Sequence, residues 1–228
     1  MIYLKEFATQ AEYDAFVESG EMDKPNVSYI ADSVTVHYHT KPVPPPLGVY
    51  IQHIDGTCYT EEEWANLGYS NDLANGVAVV AENAKFVINK NWSSRNQAWS
   101  SALTVVEGIP TTTALVDAIK DFNGLANTAV IVAAVGNNSA AKFASATTFP
   151  NGNKGYLPSV GECRTLELNR AAVDSAMSLI GGTAVTGAFW TSTQVGADKA
   201  WSWVPYSKTA ESDPKTATRN VRAFTTLD

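Results

Sequence analysis

Cysteine is scarce in this chain: Cys58 and Cys163 are the only two among 228 residues. Two thiols are too few for a disulfide framework or a zinc cluster. A single bridge between them is open to the chain, but two reduced thiols are the preferred reading on compartment grounds. Histidine is nearly as rare, with only His37, His39 and His53. No apolar run approaches the ~20 residues of a membrane-spanning helix. The N-terminus, Met-Ile-Tyr-Leu-Lys-Glu-Phe, has no apolar signal core and no small-residue cleavage site. Synthesis in the cytoplasm without a secretion signal is therefore expected. Charged residues make up only 17%, and no stripe of Lys and Arg exists, so binding to a nucleic-acid backbone is not expected.

What fills the gap is Ser, Thr, Asn and Gly, around an apolar fraction of 45% that suffices for a core. The length suits one domain plus a small appendage. The net charge of −7 is lopsided: residues 1–70 hold 3 Lys/Arg against 11 Asp/Glu, and the remainder is close to neutral.

Residues 1–41 read as a small N-terminal unit. Thr9 and Glu12 form a capping-box pair for a helix over about 10–19. Val27–Ile30 and Ser33–Tyr38 read as a hairpin turning at Ala31-Asp32. A helix and a hairpin are too small to be stable alone, so this unit is expected to dock on a partner. Residues 42–47, with consecutive prolines, are a stiff spacer. From Gly48 to the end, strands come first (48–54, 76–80, 85–88), with a capped helix from Thr60. Helices follow at 112–122, at 127–135 (apolar and buried), after the Ser159/Glu162 capping box, and at 170–180. The rest is strand and loop. This order predicts an α+β fold rather than alternating βαβ units.

The last third holds the distinctive residues. Lys154-Gly155-Tyr156-Leu157-Pro158-Ser159-Val160-Gly161-Glu162 precedes the helix ending at Gly181-Gly182-Thr183. Phe189-Trp190-Thr191-Ser192-Thr193-Gln194, Ala200-Trp201-Ser202-Trp203 and Val221-Arg222-Ala223-Phe224 follow. Trp201 and Trp203 alternate as on a strand, which favours two core aromatics over a sugar-stacking platform. Between Val204 and Val221 no aliphatic of the Leu/Ile/Val type occurs, and composition alone reads that stretch as surface loop.

This ordered set resembles the C-type-lectin-like variable proteins of diversity-generating retroelements, of the kind found in gut Bacteroides and their phages. These are related in fold to formylglycine-generating-enzyme-like proteins. The resemblance spans about residues 48–228 and implies a C-type-lectin-like fold, with residues 1–41 as a helix-hairpin appendage. It also implies a ligand- or receptor-binding function, with a variable region over about 186–224. In such proteins adenine-directed replacement reaches many residue types but not Trp, Met, Lys, Glu or Gln. The accessible positions here are Phe189, Val195, Asp198, Ser202, Val204, Pro205, Tyr206, Ser207, Ala210, Ser212, Asp213, Thr216 and Thr218, the expected ligand face. Trp190, Trp201, Trp203, Arg222 and Phe224 are the expected scaffold beneath it. Lys208, Glu211 and Lys215 do not fit the codon pattern.

Other chemistries find no support. His37 and His39 share a strand face without a third ligand, so no metal site is expected. Glu61-Glu62-Glu63 is helix-start chemistry. No nucleophile elbow or Walker loop occurs. The late cysteine pair of formylglycine-generating oxidases and the Glu-Pro-Asn or Gln-Pro-Asp triplet of calcium lectins are both missing. No enzyme activity and no cofactor are expected. The expected partners are a bacterial surface protein or glycan as ligand, and a virion or partner protein through residues 1–41. A homotrimer would suit a phage-encoded, tail-associated host-attachment protein. The competing reading is a carbohydrate-binding or adhesion module without diversification; an oxidase relative ranks last.

Overall fold

The computed structural model describes residues 45–227 throughout, and before them 2–6, 15, 18, 27–29 and 35–39. The chain divides into two compact units, Met1–Pro45 and Pro46–Asp228.

In the first unit three strands form one antiparallel sheet, with β3 (Thr35–His39) between β1 (Ile2–Glu6) and β2 (Val27–Tyr29). The expected hairpin corresponds to β2 and β3. The N-terminal strand β1 was not foreseen, because Ile2-Tyr3-Leu4 is too short a run to show alternation. Ala15 and Glu18 are helical and exposed, within the span expected to be helix. The Thr9/Glu12 cap, the Ala31-Asp32 turn and the side chains of His37 and His39 lie outside the described residues.

The second unit holds two five-stranded sheets. The first, in the order β13-β7-β6-β4-β5, comprises β4 (Gly48–His53), β5 (Cys58–Tyr59), β6 (Ala74–Val80), β7 (Lys85–Ile88) and β13 (Phe224–Thr226). The second, in the order β11-β10-β9-β12-β8, comprises β8 (Ser94–Ala98), β9 (Phe189–Gln194), β10 (Lys199–Val204), β11 (Thr209–Pro214) and β12 (Thr218–Val221). The helices are α1 (Glu61–Leu67), α2 (Leu115–Ala118), α3 (Gly124–Val135), α4 (Ala140–Ala146), α5 (Val160–Leu168) and α6 (Arg170–Leu179). The mixture of sheets and helices is α+β.

Both capping boxes in this unit form as their spacing predicts. The Glu63 carboxylate accepts from the Thr60 backbone N–H at 2.8 Å, and Glu162 accepts from Ser159 N–H at 2.7 Å. Two other expectations are corrected, and two elements were not foreseen. The helix over 112–122 shrinks to α2, because no side chain caps its start at Ala114 and its end tightens into i→i−3 bonds, Lys120 N–H to the Asp117 carbonyl and Asp121 N–H to the Ala118 carbonyl, both at 3.1 Å. The Asp121 carbonyl then accepts from Gly161 N–H at 2.9 Å. A Cβ at position 161 would lie 2.4 Å from that oxygen, so only glycine permits this approach. The helix α3 is buried on one face only, and that face, Gly124, Asn127, Thr128 and Ile131, is largely polar, whereas Leu125 is exposed. Apolar content therefore misreported which side packs. The helix α4 and the strand β8 were missed, the latter because Ser-Arg-Asn-Gln-Ala carries no apolar alternation.

Two apolar clusters result. One joins Ile51, Trp64, Val77, Phe86, Cys163, Met177, Phe189, Trp201, Trp203 and Phe224; the other joins Trp99, Ile131, Ala140, Phe149, Trp190 and Val221. Adjacent residues Phe189 and Trp190 thus enter different clusters, as the two-residue period of a strand requires. Among the described residues no helix is long and apolar enough to cross a membrane.

Candidate functional site

The sequence motifs of the last third meet in space. Tyr156 and Phe224 exchange backbone hydrogen bonds at 2.7 and 3.0 Å. Ser192 N–H donates to the Pro158 carbonyl at 2.7 Å, and Val160 N–H to Thr193 Oγ1 at 3.1 Å. Thr193 Oγ1 in turn donates to Asp121 Oδ2 at 2.7 Å, which also accepts from Asn127 Nδ2 at 2.9 Å. The Arg222 guanidinium, fully buried, donates twice to the Thr183 carbonyl at 3.0 Å. Its burial draws its pKa down to about 9. Trp190 Nε1 donates to the Gln97 carbonyl and Trp201 Nε1 to the Thr112 carbonyl. Trp190, Trp201, Trp203, Arg222 and Phe224 are all buried. Trp201 and Trp203 lie on one face of the second sheet, Trp190 lies on the other, and Phe224 belongs to the first sheet, so the frame spans both clusters. Trp201 and Trp203 share one face and one cluster.

On this frame the expected ligand-face residues separate. Asp198, Tyr206, Ser207, Ser212, Thr216 and Thr218 are exposed, and Val195 and Asp213 are half-buried. Phe189, Ser202, Val204, Pro205 and Ala210 are buried, which corrects their reading as displayed residues. The cause is that both faces of β9 and β10 are covered, and only the edge strand β11, the turns and the start of β12 reach the surface. Replacement accessibility at the codon level carries no information about burial.

The exposed residues also fall at two ends. The turn Pro205-Tyr206-Ser207-Lys208 joins β10 to β11, closed by Lys208 N–H to the Pro205 carbonyl at 3.3 Å with Lys208 in a left-handed conformation (φ 56°). Tyr206 stands 85% exposed at its tip. Asp198 and Thr216 lie on turns at the opposite end of the strands, roughly 20 Å away at ~3.3 Å per residue. Between them Asp213 accepts from Ser202 Oγ at 2.6 Å and from Arg219 Nε and Nη2 at 3.0 and 2.8 Å, a fork that locks the sheet face.

At the Asp198 end a long irregular segment, residues 101–112, is fastened by side chains from the sheet. Gln194 Oε1 accepts from Val106 N–H at 3.0 Å, and its Nε2 donates to the Val106 carbonyl at 2.7 Å. Lys215, fully buried, donates to the Thr104 carbonyl at 2.7 Å, and its ammonium sits 4.5 Å from the Trp99 ring centroid. Burial pushes the Lys215 amine down to about 8. Sequence reasoning missed this role; a lysine inside a polar stretch gives no signal of burial. Leu103 and Val105 of the fastened segment are exposed.

Both cysteines are free thiols, Cys58 half-buried in β5 and Cys163 buried in α5. Burial raises the Cys58 thiol to about 12 and holds Cys163 well above the usual range, so neither is an activated nucleophile. Among the described residues no cluster of three His, Cys, Asp or Glu side chains could hold a metal ion.

No family profile matches the chain, and no curated protein matches it by sequence. Among solved structures it is similar to a fimbrial protein from Bacteroides ovatus ATCC 8483, with a TM-score of 0.55 and 14% identity. The match covers 99% of this chain and 63% of that one, so this chain spans less than two thirds of that protein's length. The likeness is one of fold.

Proposed function

We propose that this chain is a binding protein whose second unit is a C-type-lectin-like module, presenting the β10–β11 turn and the exposed residues of β11 and β12 to a bacterial surface protein or glycan. The observation that carries the reading is Tyr206, 85% exposed at the tip of a turn between the buried strand β10 and the exposed edge strand β11. A large amphipathic ring held in water by a rigid base is a low-entropy contact residue, of the type that dominates antibody paratopes. Ser207 and Lys208 beside it, and Ser212 farther along β11, supply adaptable polar contacts.

The fold likeness to a fimbrial protein supports the adhesive side of this reading. The test is binding to fixed bacterial cells and to a glycan array, comparing the chain with a variant carrying Tyr206→Ala, Lys208→Ala and Ser212→Ala. The proposal predicts lost binding with an unchanged melting temperature; undiminished binding contradicts it.

Diversification of this face, in a phage or prophage setting with the first unit as the virion-attachment piece, is the finer part of the proposal. Its support is the motif order, together with the exposure of Asp198, Tyr206, Ser207, Ser212, Thr216 and Thr218. Its test lies in the coding DNA. A near-identical repeat beside a reverse-transcriptase gene, differing only at adenines, supports it. Lack of such a repeat leaves an undiversified adhesion module.

A further inference from the structure

Around Trp92 four features converge. The indole is half-buried and braced from within: the buried Arg222 guanidinium lies 5.1 Å from the ring centroid, and the Phe189 ring 6.0 Å away. On the outer side the exposed Arg95 guanidinium sits 5.8 Å from the same centroid. Arg95 has no ion pair, and its guanidinium no hydrogen bond, with any other described residue.

A β-bulge places these groups. In the pairing of β8 with β12, Arg219 faces Gln97 and Val221 faces Ser94, so Arg95 and Asn96 together oppose the single residue Asn220. Asn96 takes a left-handed conformation (φ 54°), which asparagine tolerates better than most residues. A bulge of this kind re-aims side chains at a sheet edge. Asn220 is half-buried and its side-chain amide makes no hydrogen bond within the described residues. Glycine at 187 admits that amide, since a Cβ there would lie 2.5 Å from Asn220 Nδ2 and 4.0 Å from Trp92 Cζ2.

We infer that Trp92, Arg95 and Asn220 form a binding site for a carboxylate-bearing saccharide. The indole holds the Arg95 guanidinium over its ring and adds apolar surface beside it for the C–H side of a sugar. The free guanidinium fork matches a carboxylate, and the amide both donates to and accepts from hydroxyls. Two guanidinium groups at one indole favour an anion over a neutral sugar. This site lies at the same end of the second sheet as the Tyr206 turn, with Asn220 paired to Phe189 and Phe189 to Trp203, but it uses different residues and does not rest on the proposed Tyr206 surface.

The test is calorimetric titration of the full chain with tetragalacturonate, with maltotetraose as the neutral control, alongside quenching of tryptophan fluorescence. Tetragalacturonate is expected to bind and maltotetraose not to. Arg95→Gln is expected to weaken binding about ten-fold or more, as loss of a charge-assisted bond does. Asn220→Ala is expected to weaken it by a smaller factor, and Tyr206→Ala to leave it unchanged, with all three variants melting as the parent does. Absence of tetragalacturonate binding, equal binding of the neutral sugar, or full binding in Arg95→Gln overturns the inference. Loss of binding in Tyr206→Ala with retention in Arg95→Gln overturns it too, while leaving the proposed Tyr206 surface standing.

Discussion

Lys215 shows how one side chain can organise a surface from beneath. Its ammonium is buried with two oxygen acceptors, the Thr104 carbonyl and Gln194 Oε1, and an indole face. Replacing it by Met keeps most of the volume but takes the donor from the Thr104 carbonyl, while Gln194 Oε1 keeps Val106 N–H. The expected cost is about 1–3 kcal/mol of unfolding free energy, read from urea denaturation. Amide hydrogen exchange over residues 101–112 should rise more than elsewhere. Uniform loosening of the whole unit would instead mean that Lys215 supports the core and not this segment. Trp203 lies at the other extreme. It is buried to within 1% exposure, and its Nε1 lacks a partner among the described residues. Its contribution is packing, and Trp203→Ala should cost about 3–5 kcal/mol. A loss under 1 kcal/mol would contradict its place in the frame.

Among the elements, α5 carries the sharpest pH signature. Its N-terminal carboxylate, Glu162, accepts from Ser159 N–H, Ser159 Oγ and the Tyr156 hydroxyl. Burial nonetheless outweighs these bonds and raises its pKa from 4.5 to about 7. Between those values the folded chain binds more protons at this site than the unfolded chain does. The Glu162 contribution to stability is therefore fully present below about pH 4.5 and is lost as pH rises through about 7. Glu162→Gln, which retains acceptor capacity without the charge, should flatten this slope in melting temperature measured from pH 4.5 to 7.5. An unaltered slope would show that another group titrates. The same element shows where sequence was informative. The Ser159/Glu162 spacing announced the start of α5, because a capping box is a local hydrogen-bond pattern. By contrast, the polar inner face of α3 was hidden. Asn127 and Thr128 are buried by partners distant in sequence, Asp121 for one and the Leu157 carbonyl for the other, and no local pattern records such partners.

For the whole molecule, the apolar clusters among the described residues are built from residue 49 onward. A chain beginning at residue 46 should therefore fold and melt within a few degrees of the full chain. Failure of that fragment to fold would show that the first unit completes the second. The frame of the C-terminal unit was legible in advance, because large aromatics and Arg222 among apolar neighbours have few places to go but inward. The surface was less so. The residue types of Phe189, Ser202, Val204, Pro205 and Ala210 fit the display set that the resemblance implies, yet whether a strand residue reaches water depends on which neighbours cover each face. Trp92 and Arg95 escaped notice because a bulge, not a motif, brings them to Asn220.

The central claim, an exchangeable surface on an indifferent frame, has a direct measurement. A library randomised at Asp198, Tyr206, Ser207, Lys208, Glu211, Ser212, Thr216 and Thr218 can be sorted for folded protein by protease resistance. The account predicts that most members stay folded, whereas a matched library at Phe189, Trp190, Ser202, Trp203, Lys215 and Arg222 is almost entirely lost. Equal survival of the two libraries, or collapse of the first, would contradict it.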